Sequence, residues 1–109
     1  MNKKQVREKF RNDVFKRDKN ECAICGDKWS KLDAHHITNR NEFENGGYVL
    51  ENGVTLCDKV DGCHFQAEKF LQTRDYIGAS YEITPDGLYE LIGSSFEKAV
   101  EADKKLKQK

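Results

Sequence analysis

The sequence predicts a single α+β domain: an N-terminal helix, a short strand pair in the middle and a helical C-terminal cap. Three observations carry this. Val6, Phe10 and Val14 recur at steps of four near the start of the chain, marking one helix face. The middle breaks into short apolar runs punctuated by Gly46-Gly47 and Asn52-Gly53, which read as strands and turns. Beyond it, Thr84-Pro85 and Ser94-Ser95 each open a further helical pattern. The 109 residues suffice for one core and not for two. We therefore treat 1–109 as one unit, with a motif-bearing core at about 20–72 and a helical extension at about 73–109.

In order, residues 3–18 form the first helix, with Phe15 beside the apolar face and Lys3, Lys4, Arg7, Arg11 and Lys16 mostly elsewhere. That basic surface is either a solvated outer face or a set of phosphate contacts. Cys22-Ala23-Ile24-Cys25-Gly26 follows, the shape of a knuckle that turns two thiolates toward a metal. A thioredoxin-like redox pair is the rival, but no βαβ pattern surrounds it. Cys57 and Cys63 form a second pair, with five residues between them where knuckles usually have two to four; Gly62 could let the wider loop close. Four cysteines read as one structural zinc site, with free buried thiols as the alternative.

Leu32 to Ile37 reads as a strand, Thr38 to Gly47 as a loop, and Tyr48-Val49-Leu50 as a further extended run. Asn52-Gly53 turns into a second strand, Val54-Thr55-Leu56, that ends on Cys57. A helix starts near His64, with Phe65, Phe70 and Leu71 as its apolar side and with His64 and Glu68 on one face. Tyr76-Ile77 and Tyr81-Glu82-Ile83 are candidate extended pieces. Thr84 caps a helix with Pro85 in its first position, faced by Leu88, Leu91 and Ile92 and stopped by Gly93. Ser94 or Ser95 caps the last helix, with Phe96, Ala99, Val100 and Leu106 facing in and Lys104, Lys105, Lys107 and Lys109 toward its end.

Composition narrows the function classes. At 37% apolar and 35% charged residues the core is lean and would gain from a metal staple. The opening Met1-Asn2-Lys3-Lys4 has no apolar segment behind it, and no stretch approaches the run of about 18 apolar residues that spans a bilayer. We expect no membrane partner and a reducing, cytoplasmic setting, in which paired cysteines bind metal rather than each other. The net charge of zero hides an asymmetry. Residues 1–19 carry eight Lys or Arg against three acids, residues 20–96 six against thirteen, and residues 97–109 five against three. An acidic middle with basic ends suits a carboxylate-rich metal centre with arms for phosphates, although solvated helix faces would give the same pattern.

The chain has three histidines, His35, His36 and His64. Adjacent residues on a strand point to opposite faces, so His35 and His36 have distinct jobs unless the strand is bent. Hydrolysis of a phosphodiester needs a nucleophile made from water, charge neutralisation and help for the leaving oxygen, which one histidine and one divalent ion can supply. His64 could instead join the cysteines on zinc, and the pair could be plain core residues.

Asp33-Ala34-His35-His36-Ile37, Gly46-Gly47-Tyr48, Asn52 through Cys57, and Cys63-His64 occur in this order and together resemble the HNH endonucleases, specifically the zinc-knuckle branch of the ββα-metal nucleases. The likeness covers about residues 10–70 and is greatest to the small stand-alone HNH proteins of phages and bacteria. It implies a ββα-metal core with a structural zinc knuckle, working in a bacterial cell or a phage-infected host. On it, His36 is the general base and His35 and His64 hold a catalytic divalent ion, Mg²⁺, Mn²⁺ or similar. Asn52 either steadies the loop that orients the base or touches the metal. Where many members carry another histidine this chain has Glu68, a third ligand or a surface partner of Lys69 or Arg74. The implied activity is hydrolysis of DNA, double-stranded in first place, to 5′-phosphate and 3′-hydroxyl ends. Lys3, Lys4, Arg7, Arg11 and Arg40 are the expected nucleic-acid contacts, with loose specificity or a partner protein that supplies it. The alternative is a non-catalytic zinc module that binds nucleic acid or protein.

Overall fold

The first helix, α1 (Lys3–Arg17), starts at a reciprocal cap. The Asn2 side chain accepts from the Gln5 amide at 2.9 Å and the Gln5 side chain accepts from the Asn2 amide at 3.0 Å. This and all that follows is taken from a computed structural model of the chain, which describes residues 2–60, 62–73 and 81–106. Val6, Phe10 and Val14 are buried as their spacing predicts, each contributing roughly 1.5–3 kcal/mol if fully withdrawn from water. The helix lies on an antiparallel pair, β1 (Leu32–His36) and β2 (Gly53–Cys57), registered from Leu32 opposite Cys57 to His36 opposite Gly53. Gly53 makes the close approach possible. A Cβ there would stand 2.5 Å from Val14 and 2.7 Å from Phe10.

Polar locks fix α1 in place. Arg17 donates to the carbonyls of Leu50 at 2.9 Å and Gly53 at 2.6 Å and pairs with Asp18, whose carboxylate accepts from the Thr55 amide at 2.8 Å. Ala34 and His36 turn toward α1. On the other face of the pair, His35, Val54 and Leu56 turn toward α2 (Cys63–Thr73) and the main core. Strand, loop, strand and helix therefore follow the order that the sequence predicts.

Two C-terminal helices close the core. Thr84 caps α3 (Pro85–Leu91) and accepts from the Gly87 amide, and Ser95 caps α4 (Phe96–Lys104) and accepts from the Lys98 amide, both at 3.1 Å. Gly93, at φ +69°, ends the first of them, as its position in the sequence suggests. Leu88 and Ala99 are fully buried against Ile37, Val54 and Leu56.

The same helices hold the long loop between the strands. Asp103 is only 1% exposed, and its carboxylate accepts from the amides of Gly47 at 2.8 Å and Asn45 at 2.9 Å, while the Asn45 side chain donates to the Asp103 carbonyl at 2.9 Å. Tyr89 donates its hydroxyl to the Asn52 side-chain oxygen at 2.8 Å, and Ser94 donates to the Glu51 carbonyl at 2.8 Å. Gly47 has φ +68°, and a Cβ there would meet the Phe43 ring at 2.6 Å and the Asn52 amide nitrogen at 2.8 Å.

The structure corrects several expectations. Tyr48-Val49-Leu50 is not a strand: Val49 is extended, but the chain then enters a 3₁₀ turn at Leu50–Asn52, where the Asn52 amide donates to the Val49 carbonyl. Tyr81–Ile83 is also a 3₁₀ turn, drawn in by the Thr84 hydroxyl and amide, which both donate to the Tyr81 carbonyl. Phe65, Leu91 and Phe96 are between 41% and 49% exposed, since Ala67, Leu88 and Ala99 occupy the inward positions of their helices. Arg74, Tyr76, Ile77, Lys107 and Lys109 lie outside the described residues. Among the described residues, no helix is long and apolar enough to cross a membrane.

Replacing Asp103 by Ala would leave two withdrawn amides without an acceptor, at about 1–3 kcal/mol each. Denaturant unfolding of Asp103→Ala should show a loss of about 2–5 kcal/mol, against less than about 0.5 kcal/mol for the exposed Glu101→Ala.

Candidate metal centres and basic groove

The four cysteines converge, their sulfur atoms all within 4.8 Å of one another. Cys22 and Cys25 arrive on a tight turn in which the Gly26 amide donates to the Cys22 carbonyl and Gly26 takes φ +75°. The Ala23 amide donates to the Thr55 carbonyl, tying that turn to β2, and Cys57 ends the strand. Cys63 opens α2 after Gly62, whose amide donates to Lys59 and whose missing side chain leaves room for the Lys59 and Cys57 carbonyls. Lys59 bridges back to Asp27 at 2.8 Å, joining the two turns.

Burial and the crowding of sulfurs raise the ionisation of Cys63 well above the ordinary thiol range, and burial raises Cys25 despite the Asp27 amide. At Cys22 burial opposes ionisation too, but the amides of Cys25, Ile24 and Cys57 outweigh it and the thiol is lowered. Burial thus opposes ionisation at Cys25 and Cys63. A cation among the sulfurs would remove that obstacle, and four thiolates on knuckle turns are a zinc set.

A second group forms between β1 and α2, where His35, His64 and Glu68 bring ligand atoms within 4.8 Å of one another. His35 is 1% exposed, and neither ring nitrogen has a hydrogen-bond partner. Its Nδ1 is 3.4 Å from Glu68 but not aligned to bond. A buried imidazole without a partner is rare, and a cation shared with His64 and Glu68 would supply one. Burial lowers the pKa of His35, leaving the neutral ring that a metal requires.

His64 Nε2 stands 3.2 Å from Asp33 and 3.5 Å from Glu68, and its Nδ1 is 3.5 Å from Asp58. Glu68, ahead of the opposing effect of burial and with Asp33 and Asp58 in support, raises the proton affinity of His64. The imidazoles of His35 and His64 in turn hold the Glu68 carboxyl far below its usual range. This concentration of negative charge around neutral nitrogens would favour a divalent ion as it favours a proton. Asp58 stands where a carboxylate orients a metal-binding imidazole through its far nitrogen.

His36 faces the other way. Its ring stacks on Phe10 at 4.6 Å and meets the edge of Tyr48 at 4.7 Å, and its Nε2 has no partner. Burial, with His35 and Arg40 adding to it, pushes its pKa down to about 4, so the ring is neutral at pH 7. Tyr48 also accepts from Arg40 at 2.9 Å and lies 5.5 Å beneath the Arg7 guanidinium. Two depressions share Arg7 and Tyr48 as walls. One, of about 310 Å³, is lined by His36, Asp33, Arg11 and Lys31; the other, of about 630 Å³, by Lys3, Arg40, Asn39 and Asn41.

Of the expected nucleic-acid contacts, Arg7 and Arg11 line the depression that contains His36 and Lys3, Arg7 and Arg40 the larger one beside it, whereas Lys4 is exposed and lines neither. Glu68 faces the histidines, while Lys69 lies over the Phe65 ring. His64 groups with His35 and not with the cysteines. Asn52 is fully buried. It accepts from the Thr38 amide and the Tyr89 hydroxyl and donates to the Thr38 and Gly47 carbonyls, which fits the loop-steadying role of the two considered for it. Sequence reasoning assigned no role to Asp33, Tyr48, Asp58, Tyr89 or Asp103. Only Asp103 left a usable signal, a charge on the apolar stripe of Phe96, Ala99 and Val100.

A structural zinc site is worth roughly 10–16 kcal/mol of apparent binding energy, as much as the roughly 5–15 kcal/mol stability of a whole domain. Purified protein should therefore carry one zinc per chain, and Cys25→Ser should lose it together with the cooperative melt. A Cys25→Ser protein that melts at the parental temperature would refute the assignment.

No protein-family model, curated protein or solved structure matches the chain, so the functional reading rests on the chemistry of these residues.

Proposed function

We propose that the protein is a metal-dependent endonuclease of the HNH type, with a ββα-metal core, that hydrolyses phosphodiester bonds in DNA. One observation carries this reading. On a strand pair followed by a helix, the unpartnered His35 completes a three-ligand group with His64 and Glu68, while the neighbouring His36 turns to a wall of arginines.

In the proposed reaction, water attacks phosphorus, the bond to the 3′ oxygen breaks, and that oxygen takes a proton from solvent to leave as the 3′-hydroxyl. Neutral His36 accepts the proton that the water gives up, and Arg7 and Arg40, held by Tyr48, bind non-bridging oxygens of the backbone. A divalent ion on His35, His64 and Glu68 would supply charge neutralisation at the phosphate and at the leaving oxygen. Asn52 keeps the loop after β1 in register by bonding both sides of it. The cysteine group holds the ends of the strands together at the far end of the pair.

The test is nicking of supercoiled plasmid in Mg²⁺ or Mn²⁺. A general base contributes about 10²–10⁴ in rate, so His36→Ala should keep zinc, fold and DNA affinity while cleavage falls at least about a hundredfold. His35→Ala should instead weaken the second ion, and added Mn²⁺ should restore part of the rate. If His36→Ala cuts at the parental rate in saturating metal, the mechanism is wrong and a binding module without catalysis takes its place.

A further inference from the structure

The larger depression beside Tyr48 holds more than phosphate-binding charge. Its volume of about 630 Å³ lies within the range of about 300–1,000 Å³ typical of sites for one small ligand. Lys3, Arg7 and Arg40 give it three cations, set against one carboxylate, Glu44. Asn39 and Asn41 add two exposed amides on either side of Arg40, at the opening of the 3₁₀ turn Arg40–Glu42. All three side chains, of Asn39, Arg40 and Asn41, line the same depression.

Asn39 occupies the cap position of that turn, where an asparagine ordinarily bonds back to the backbone. Here it makes no such bond. Asn45, also on the wall, donates its amide to the Asp103 carbonyl. Asn39 and Asn41 are therefore the amides presented to a ligand. Arginine and lysine are the stronger partners of phosphate, whereas an amide offers a donor and an acceptor side by side, the pattern that matches N6 and N7 of adenine. Because Tyr48 is a wall of both depressions, a nucleotide seated here flanks the bond presented to His36.

We infer that this groove binds one nucleotide next to the cleaved bond, with its phosphate on Arg7 and Arg40 and the edge of an adenine on Asn39 and Asn41. The inference rests on the nuclease reading for the place of the cut, and it replaces the expectation of loose specificity by a defined preference.

The experiment uses a DNA library randomised around one position. Wild-type protein cuts it in Mn²⁺ and the new ends are sequenced; in parallel, DNA retained by the protein without added divalent ion is sequenced. A bidentate amide contact discriminates by roughly five- to a hundredfold, so adenine should be enriched by at least about fivefold at a fixed offset within two nucleotides of the cut, and likewise in the retained DNA. Asn39→Ala/Asn41→Ala, both exposed and expected to melt as the parent does, should bring adenine sites down to the level of the rest. Arg40→Ala should weaken all sequences alike. A wild-type profile without the offset preference, enrichment of another base, or an adenine preference that survives the double substitution would each overturn the inference. Adenine-selective retention without any cutting would remove the nuclease reading and leave the groove standing.

Discussion

Four sulfur atoms lie within 4.8 Å of one another at the junction of two turns, a strand and a helix. Burial and mutual repulsion oppose the ionisation of Cys25 and Cys63, and Lys59, on the turn between Cys57 and Cys63, is engaged by Asp27. The arrangement makes physical sense around a cation, and much of the fold depends on it. The turn before β1, the last residue of β2 and the first residue of α2 meet there. In a lean chain that single junction sets how the strands and the helix after them diverge. The two candidate ligand groups are also neighbours in sequence. Asp58 follows Cys57 and His64 follows Cys63, so each thiolate carries with it a group of the second site.

The opposite end of the strand pair is governed by hydrogen bonds. Asn52 satisfies its whole amide within the loop, and Asp103 and Tyr89 reach it from the C-terminal helices. The loop could not keep this shape by local preference alone, since Gly46 and Gly47 at positive φ leave it permissive. Helices outside the motif-bearing stretch thus determine where Tyr48 and Arg40 stand.

Much of this was legible in the sequence because it depended on local pattern. The burial of Val6, Phe10 and Val14, the caps at Thr84 and Ser95, and the convergence of Cys22, Cys25, Cys57 and Cys63 all followed from spacing and residue type. Spacing also placed His64 and Glu68 on one helix face; that the face looks at His35 is a tertiary fact. What could not be read was which polar residues are used twice. Tyr48 meets His36, Arg7 and Arg40 at once, and Asp103 caps amides 56 and 58 residues away, contacts that no periodicity of the sequence encodes. At Tyr48-Val49-Leu50 and Tyr81–Ile83 the β propensity of the residues yields to turn bonds, from the Asn52 amide to the Val49 carbonyl and from the Thr84 amide to the Tyr81 carbonyl.

The clamp by Asp103 has a consequence for the protein during its own synthesis. Gly47 leaves the ribosome 56 residues ahead of the aspartate that fixes it, an interval of roughly three to eleven seconds at about 5–20 residues per second. From His64 onward the cysteines and all three histidines have been made, but the loop beside them still lacks its anchor. The shape of the loop, and with it the placing of Tyr48 and Arg40, is thereby delayed until translation has passed the last of its ties.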